Sequence, residues 1–126
     1  MSNFLLEETP VKQFKKKTPY DSSLKFFLSQ MSIRDRLIAR MIYFCDLNIS
    51  QVLSLKKTDL ADLKVPELLK EDIDNFSNHL LASDLVFRNG KGKEVNRVHL
   101  NQSFSRASKA SNMRITPPML LEYIPV

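Results

Sequence analysis

The chain has 126 residues, 43% hydrophobic and 26% charged, with a formal net charge of +5, which fits one domain burying a single core and excludes a largely disordered chain. Two glycines against many Leu, Ile, Phe and Met residues argue for helices and against a sandwich built on tight turns. The single Cys45 allows no internal disulfide, a structural zinc is not expected from His79 and His99 beside one thiol, and no apolar run approaches the ~18 residues of a spanning helix, so a cytoplasmic protein without metal, cofactor or membrane contact is expected.

Residues 1–19 carry Glu7-Glu8, then Lys12 and Lys15-Lys16-Lys17 between Pro10 and Pro19, without a helical period, and read as a flexible basic arm. A first helix follows Asp21, with Leu24, Phe27, Leu28 and Met31 on one face. Ser32 can cap a second helix by accepting a free N–H of its first turn, where Asp35 also meets the positive end of the helix dipole. Ile33, Leu37, Met41 and Phe44 form a stripe there, widened by Ile38, Ile42 and Cys45, so this helix is expected to pack on more than one side. Cys45 within that stripe reads as an inert core thiol.

Residues 49–55 predict a short helix, and Thr58-Asp59 a turn. Pro66 suits the first turn of a longer helix, where its missing N–H has no partner to lose. Leu69, Ile73, Phe76 and Leu80 give that helix an apolar face, and Glu67, Glu71 and Asp72 an acidic start. Leu85-Val86-Phe87 reads as a short buried strand or extended segment, followed by a turn at Asn89-Gly90, since both residues tolerate positive φ. Asn96 can cap a last long helix through about Ser111, with Val98, Phe104 or Ala107 inward and Arg97, Arg106 and Lys109 outward. Asn112 ends it, and Pro117-Pro118 leave at most one further helical turn.

Charge divides the chain. Residues 59–84 carry a net −5 and residues 88–114 a net +6, a bipolar pattern that offers phosphate one face and repels it from another. The stretch Arg88-Asn89-Gly90-Lys91-Gly92-Lys93 lacks the spacing and the Lys-Ser/Thr ending of a phosphate-binding P-loop. Ser, His and Asp occur without a nucleophile elbow, so no hydrolytic site is expected.

The segment Ile33-Arg34-Asp35-Arg36-Leu37-Ile38, continuing through Ile42-Tyr43-Phe44-Cys45-Asp46-Leu47-Asn48-Ile49-Ser50-Gln51-Val52-Leu53-Ser54-Leu55-Lys56-Lys57-Thr58-Asp59-Leu60, resembles the tyrosine recombinases, in particular the phage integrase and Xer-type form RDRLIxxLLYxTGLRISELLSLKxxDI. A second stretch, Leu85-Val86-Phe87 with the helix around Phe104 and then Ile115-Thr116-Pro117-Pro118-Met119-Leu120-Leu121-Glu122, is similar to that family's LF…ITPHMLRH. The resemblance covers residues 20–126 and implies a mainly α, compact helical domain with at most a short β element, a reduced tyrosine recombinase catalytic domain behind the arm of residues 1–19.

It also implies that the chemistry is gone. Asn48 stands where the family has a phosphate-contacting Arg, and Pro118 and Leu121 stand where it has His and Arg; neither Pro nor Leu donates a side-chain hydrogen bond. The family's hairpin with a catalytic Lys is either deleted after Asp59 or corresponds to residues 88–95. The helix bearing the nucleophilic Tyr and the amino-terminal clamp domain are expected to lie outside this chain, and Tyr123 follows Pro118 too closely to be that nucleophile.

The expected function is that of a non-catalytic, integrase-like pseudoenzyme, a regulator or accessory factor on duplex DNA. Lys56, Lys57, Arg88, Lys91, Lys93, Arg97, Arg106, Lys109 and Arg114 are the candidate contacts, with Asn96, Asn101, Gln102 and Ser105 adding polar groups. No aromatic residue is interleaved with them, which argues against a single-strand stacking platform. The alternative is a protein-interaction module that binds a second copy, a full-length recombinase or another partner without touching DNA.

Overall fold

The structure, a computed structural model, describes residues 15–17, 19–121 and 123–125. In chain order the elements are β1 (Lys15–Lys17), α1 (Ser22–Ser29), α2 (Ile33–Cys45), α3 (Ile49–Leu53), a 3-10 turn (Lys57–Asp62), α4 (Glu67–Ser77), α5 (Arg97–Ser111), α6 (Pro117–Leu121) and β2 (Tyr123–Pro125). The domain is therefore mainly α-helical, as expected. Among the described residues the β structure is one short antiparallel pair, β1 with β2, in which Lys16 faces Ile124, plus single bridges at Lys56–Leu85 and Arg88–Glu94. The arm expected over residues 1–19 otherwise lies outside the described residues, apart from Pro19.

Side-chain caps set where the helices begin. Asp21 Oδ1 accepts the Leu24 N–H at 3.1 Å to start α1, Ser32 Oγ accepts the Asp35 N–H at 3.2 Å to start α2, and Asn96 Oδ1 accepts the Val98 N–H at 2.8 Å to start α5. Asn48 and Gln51 exchange two hydrogen bonds of 2.8 Å, each side chain accepting from the other's backbone N–H, and this capping box starts α3. Two helices end in left-handed residues, α2 at Asp46 and α5 at Asn112, the short polar side chains that tolerate that conformation best after Gly.

α2 is the centre of the fold. Leu37, Ile38, Ala39, Met41 and Ile42 are all buried, and α1, α3, α4 and α6 pack against it. α5 lies on α1, with the Phe27 and Phe104 rings 5.8 Å apart, and Phe76 meets the fully buried Phe87 at 5.4 Å. Tyr20, Tyr43 and Phe44 close the far end of α2 as an aromatic cluster. The strand or extended segment expected at Leu85-Val86-Phe87 is instead a bend at Val86 and Phe87 between the two single bridges of Leu85 and Arg88, with the Val86 N–H donating to the Leu55 carbonyl at 2.9 Å.

Several sequence expectations change. Ile33 is 70% exposed, because the buried sector of α2 centres on Ile38 and Ile42 and the first residue of the helix falls at its margin. Val98 is 63% exposed, since α5 turns Leu100, Ser103, Phe104 and Ala107 inward and places Val98 nearly opposite them. α4 stops at Ser77, so Leu80 is buried from the loop beyond it, and Pro66 precedes the helix as its N-cap. Among the described residues no helix is long and apolar enough to cross a membrane, and no group of three His, Cys, Asp or Glu side chains is placed to hold a metal ion.

Candidate nucleic-acid interface

The chain reverses between Arg88 and Glu94 through a tight turn built by one side chain. Asn89 Oδ1 accepts the N–H groups of Lys91 at 2.8 Å and Lys93 at 3.0 Å, while the Asn89 N–H donates to the Lys93 carbonyl at 2.8 Å. The positive φ falls on Gly92, at 76°, and not on Asn89-Gly90; Asn89 serves as an acceptor for the loop, which does not require the left-handed region. Lys91, Gly92 and Lys93 are exposed on this turn, which leads through the buried Val95 into α5.

Beside the turn is a cleft of about 720 Å³ lined by Ser50 and Leu53 of α3, by Ser54 that caps its end, and by Asn89 and Lys93 through Arg97. The Arg97 guanidinium crosses it to donate to Ser50 Oγ. A second cleft, about 480 Å³, is lined by Asn101, Phe104, Ser105 and Ser108 of α5 and by Arg114 through Pro118. Ser108 Oγ holds its wall by donating to the Ile115 carbonyl at 3.2 Å and accepting the Ile115 N–H at 3.1 Å. Arg97, Asn101, Ser105 and Ser108 recur about one helical turn apart on the same flank of α5 and so join the two clefts into one strip.

The nine predicted contact residues do not all reach this strip. Lys93, Arg97 and Arg114 line it, Lys91 stands at the adjoining turn, and Lys109 faces outward from α5 beside Gln102. Arg106 lies on the opposite flank of α5, about half a turn round from Arg97. Arg88 is half-buried toward α4, lining a separate cleft with Asn75, Phe76 and His79, and its carbonyl accepts from Arg34 at 3.3 Å. Lys56 is exposed at the bridge to Leu85. Lys57 is occupied elsewhere: its ammonium donates to the Leu80 carbonyl at 2.9 Å and the Asn78 carbonyl at 3.4 Å, closing the end of α4.

Sequence reasoning missed Ser50, Ser54 and Thr116. Ser50 meets Arg97 from 47 residues away, and no local pattern announces such a contact. Of the positions highlighted by the family resemblance, Asn48 is committed to the capping box, Pro118 is exposed in the second cleft, and Leu121 is half-buried on α6. Comparison with protein-family models, with curated proteins and with solved structures finds no match to this chain.

Proposed function

We propose that this chain is a non-catalytic relative of the tyrosine recombinases that binds the backbone of duplex DNA along the α5 strip and acts there as a regulator or accessory factor. The observation that carries the reading is the strip itself. Lys91, Lys93, Lys109 and Arg114 make no ion pair with another described residue, nor does Arg97, whose one partner is a neutral serine. Cations left facing solvent beside two neighbouring clefts on one flank of α5 are what sequence-independent phosphate contact requires.

The order of elements supports the recombinase part of the proposal: the helix of the first motif, the buried Phe87, the tight turn, the long helix and the short Pro117–Leu121 helix follow one another as the resemblance implies. The tightness of the Arg88–Glu94 turn favours reading the lysine hairpin as deleted. Loss of catalysis follows from chemistry. A developing phosphorane charge must be met by fixed donors, and removing even one costs orders of magnitude in rate; Asn48 is occupied as a cap, and Pro118 and Leu121 carry no donor. Phe104, the aromatic residue that lines the strip among the described residues, is buried and so offers stacked single-stranded bases no platform.

Fluorescence anisotropy with a generic labelled duplex over a salt series tests the reading. Contact by about five phosphates gives a log–log slope near −4.5. Charge reversal at Lys91, Lys93, Arg97 and Lys109 should abolish most of it, and an unchanged slope would refute the proposal.

One observation favours the interaction-module reading. A groove of about 390 Å³ runs between α2 and α4, lined by the exposed Ile33, by Leu37 and Phe76, and by polar residues that include the Arg40–Asp72 ion pair. Binding that persists at high salt and fails on Ile33→Asp would select that reading.

A further inference from the structure

We infer that the cleft between α3, the Arg88–Glu94 turn and the start of α5 seats a single phosphate group, monoester or diester, between Lys93 and Arg97. The inference rests on the DNA-binding reading for its macromolecular ligand and names the group of that ligand which the cleft takes.

Three features converge there, all meeting at Arg97. Lys93 comes from the turn and Arg97 from the helix, yet both line the same concavity with the hydroxyl-bearing Ser50 and Ser54. Arg97 is already anchored across the cleft on Ser50 Oγ. A guanidinium has five N–H donors, so this one contact leaves most of the fork available while restricting its rotamers before a ligand arrives. The cleft also holds the positive end of a 15-residue helix, whose peptide dipoles favour an anion. Asn96 Oδ1 takes the N–H groups of Val98 and His99, and the Arg97 N–H has no described acceptor.

The second cleft differs in kind, with Arg114 as the one cation among its lining residues. One feature opposes anion binding in the first cleft: Glu94 is on its wall. Removing that charge should therefore improve the seat, which gives the inference a gain-of-function test that a misfolded variant cannot imitate.

The experiment has two arms. In the first, the full chain is titrated with inorganic phosphate while backbone amide shifts are followed by NMR. Saturable shifts confined to Ser50 and residues 93–98 are expected, lost in Lys93→Gln/Arg97→Gln and tightened about two- to fivefold in Glu94→Gln, the size of one exposed charge interaction. Diffuse shifts that Lys93→Gln/Arg97→Gln leaves unchanged would overturn the seat. In the second arm a generic duplex is titrated across salt. Lys93→Gln/Arg97→Gln should reduce the magnitude of the slope by about 1.8, and Arg106→Gln should leave the phosphate titration of the first arm intact. Duplex binding without the localised phosphate response refutes this inference alone; a localised phosphate response without duplex binding keeps the seat, assigns it to free phosphate and refutes the DNA reading.

Discussion

The α2–α4 side and the α5 side of this molecule are both rich in arginine and lysine, but they use them in opposite ways. On the first, every arginine of α2 is a clamp: Arg34 Nε pairs with the buried Asp35 at 2.9 Å, Arg36 donates to the Leu28 carbonyl in the last turn of α1 and to the Met31 carbonyl just beyond it, and Arg40 pairs with Asp72 of α4 at 2.9 Å. On the second, Lys91, Lys93, Arg97 and Lys109 face solvent, and among the described residues the charged group of Arg97 meets a neutral serine while those of the three lysines make no ion pair. A cation's sequence neighbourhood does not tell these cases apart; the presence of a carbonyl or carboxylate within reach in the folded chain does. The difference teaches that the first set serves stability and the second is free to serve a ligand.

The largest expected effect strikes both regions at once. Phe87→Ala empties a fully buried site between α4 and the turn, and should cost about 3–5 kcal/mol in a urea titration, weakening binding because the turn loses its floor. Asp35→Asn should act mainly on the clamp side, reaching the turn only through the hydrogen bond from Arg34 to the Arg88 carbonyl. The Arg34 partner of this buried carboxylate is about a quarter exposed, so a loss of about 1–2 kcal/mol is expected, with duplex affinity measured in the folded range unchanged. Asn48→Ala removes the capping-box acceptor at Gln51 N–H and should cost about 1 kcal/mol. Smallest per position is the effect on stability of Lys91→Glu/Lys93→Glu/Arg97→Glu/Lys109→Glu, within about 0.5 kcal/mol for each exposed surface site, although the same variant should lose most of its salt-dependent duplex binding. If Asp35→Asn abolished binding, or the charge reversal unfolded the chain, the division between the two sides would fail.

Much of the helical framework was legible because its signals are local. Asp21, Ser32 and Asn96 each precede an apolar period, and each is a cap in the structure. Periodicity was less reliable at two positions: Ile33 falls at the margin of the buried sector of α2, and Val98 lies on the face of α5 opposite its buried residues. Asn48 illustrates a signal that was present and outweighed, since Asn-x-x-Gln followed by an apolar pair is itself a capping-box pattern, whereas its position within the recombinase resemblance drew attention to a missing arginine. The candidate interface was legible only as a list of cations. Lys57 resembles Lys91 in sequence, yet its ammonium is bound to a carbonyl 23 residues away, and the separation of Arg106 from Arg97 becomes evident only once the limits and buried face of α5 are known. Contacts made across the fold decide which charges remain available, and those contacts have no local signature.

The most direct test of the central claim is to map a generic DNA duplex onto the full chain by backbone amide shift perturbation at low salt. The account predicts shifts concentrated on residues 91–98, on Asn101 and Ser105, and around Arg114, fading as salt is raised. Shifts centred on Ile33, Arg40 and Phe76, or none on the α5 strip at any salt concentration, would contradict it.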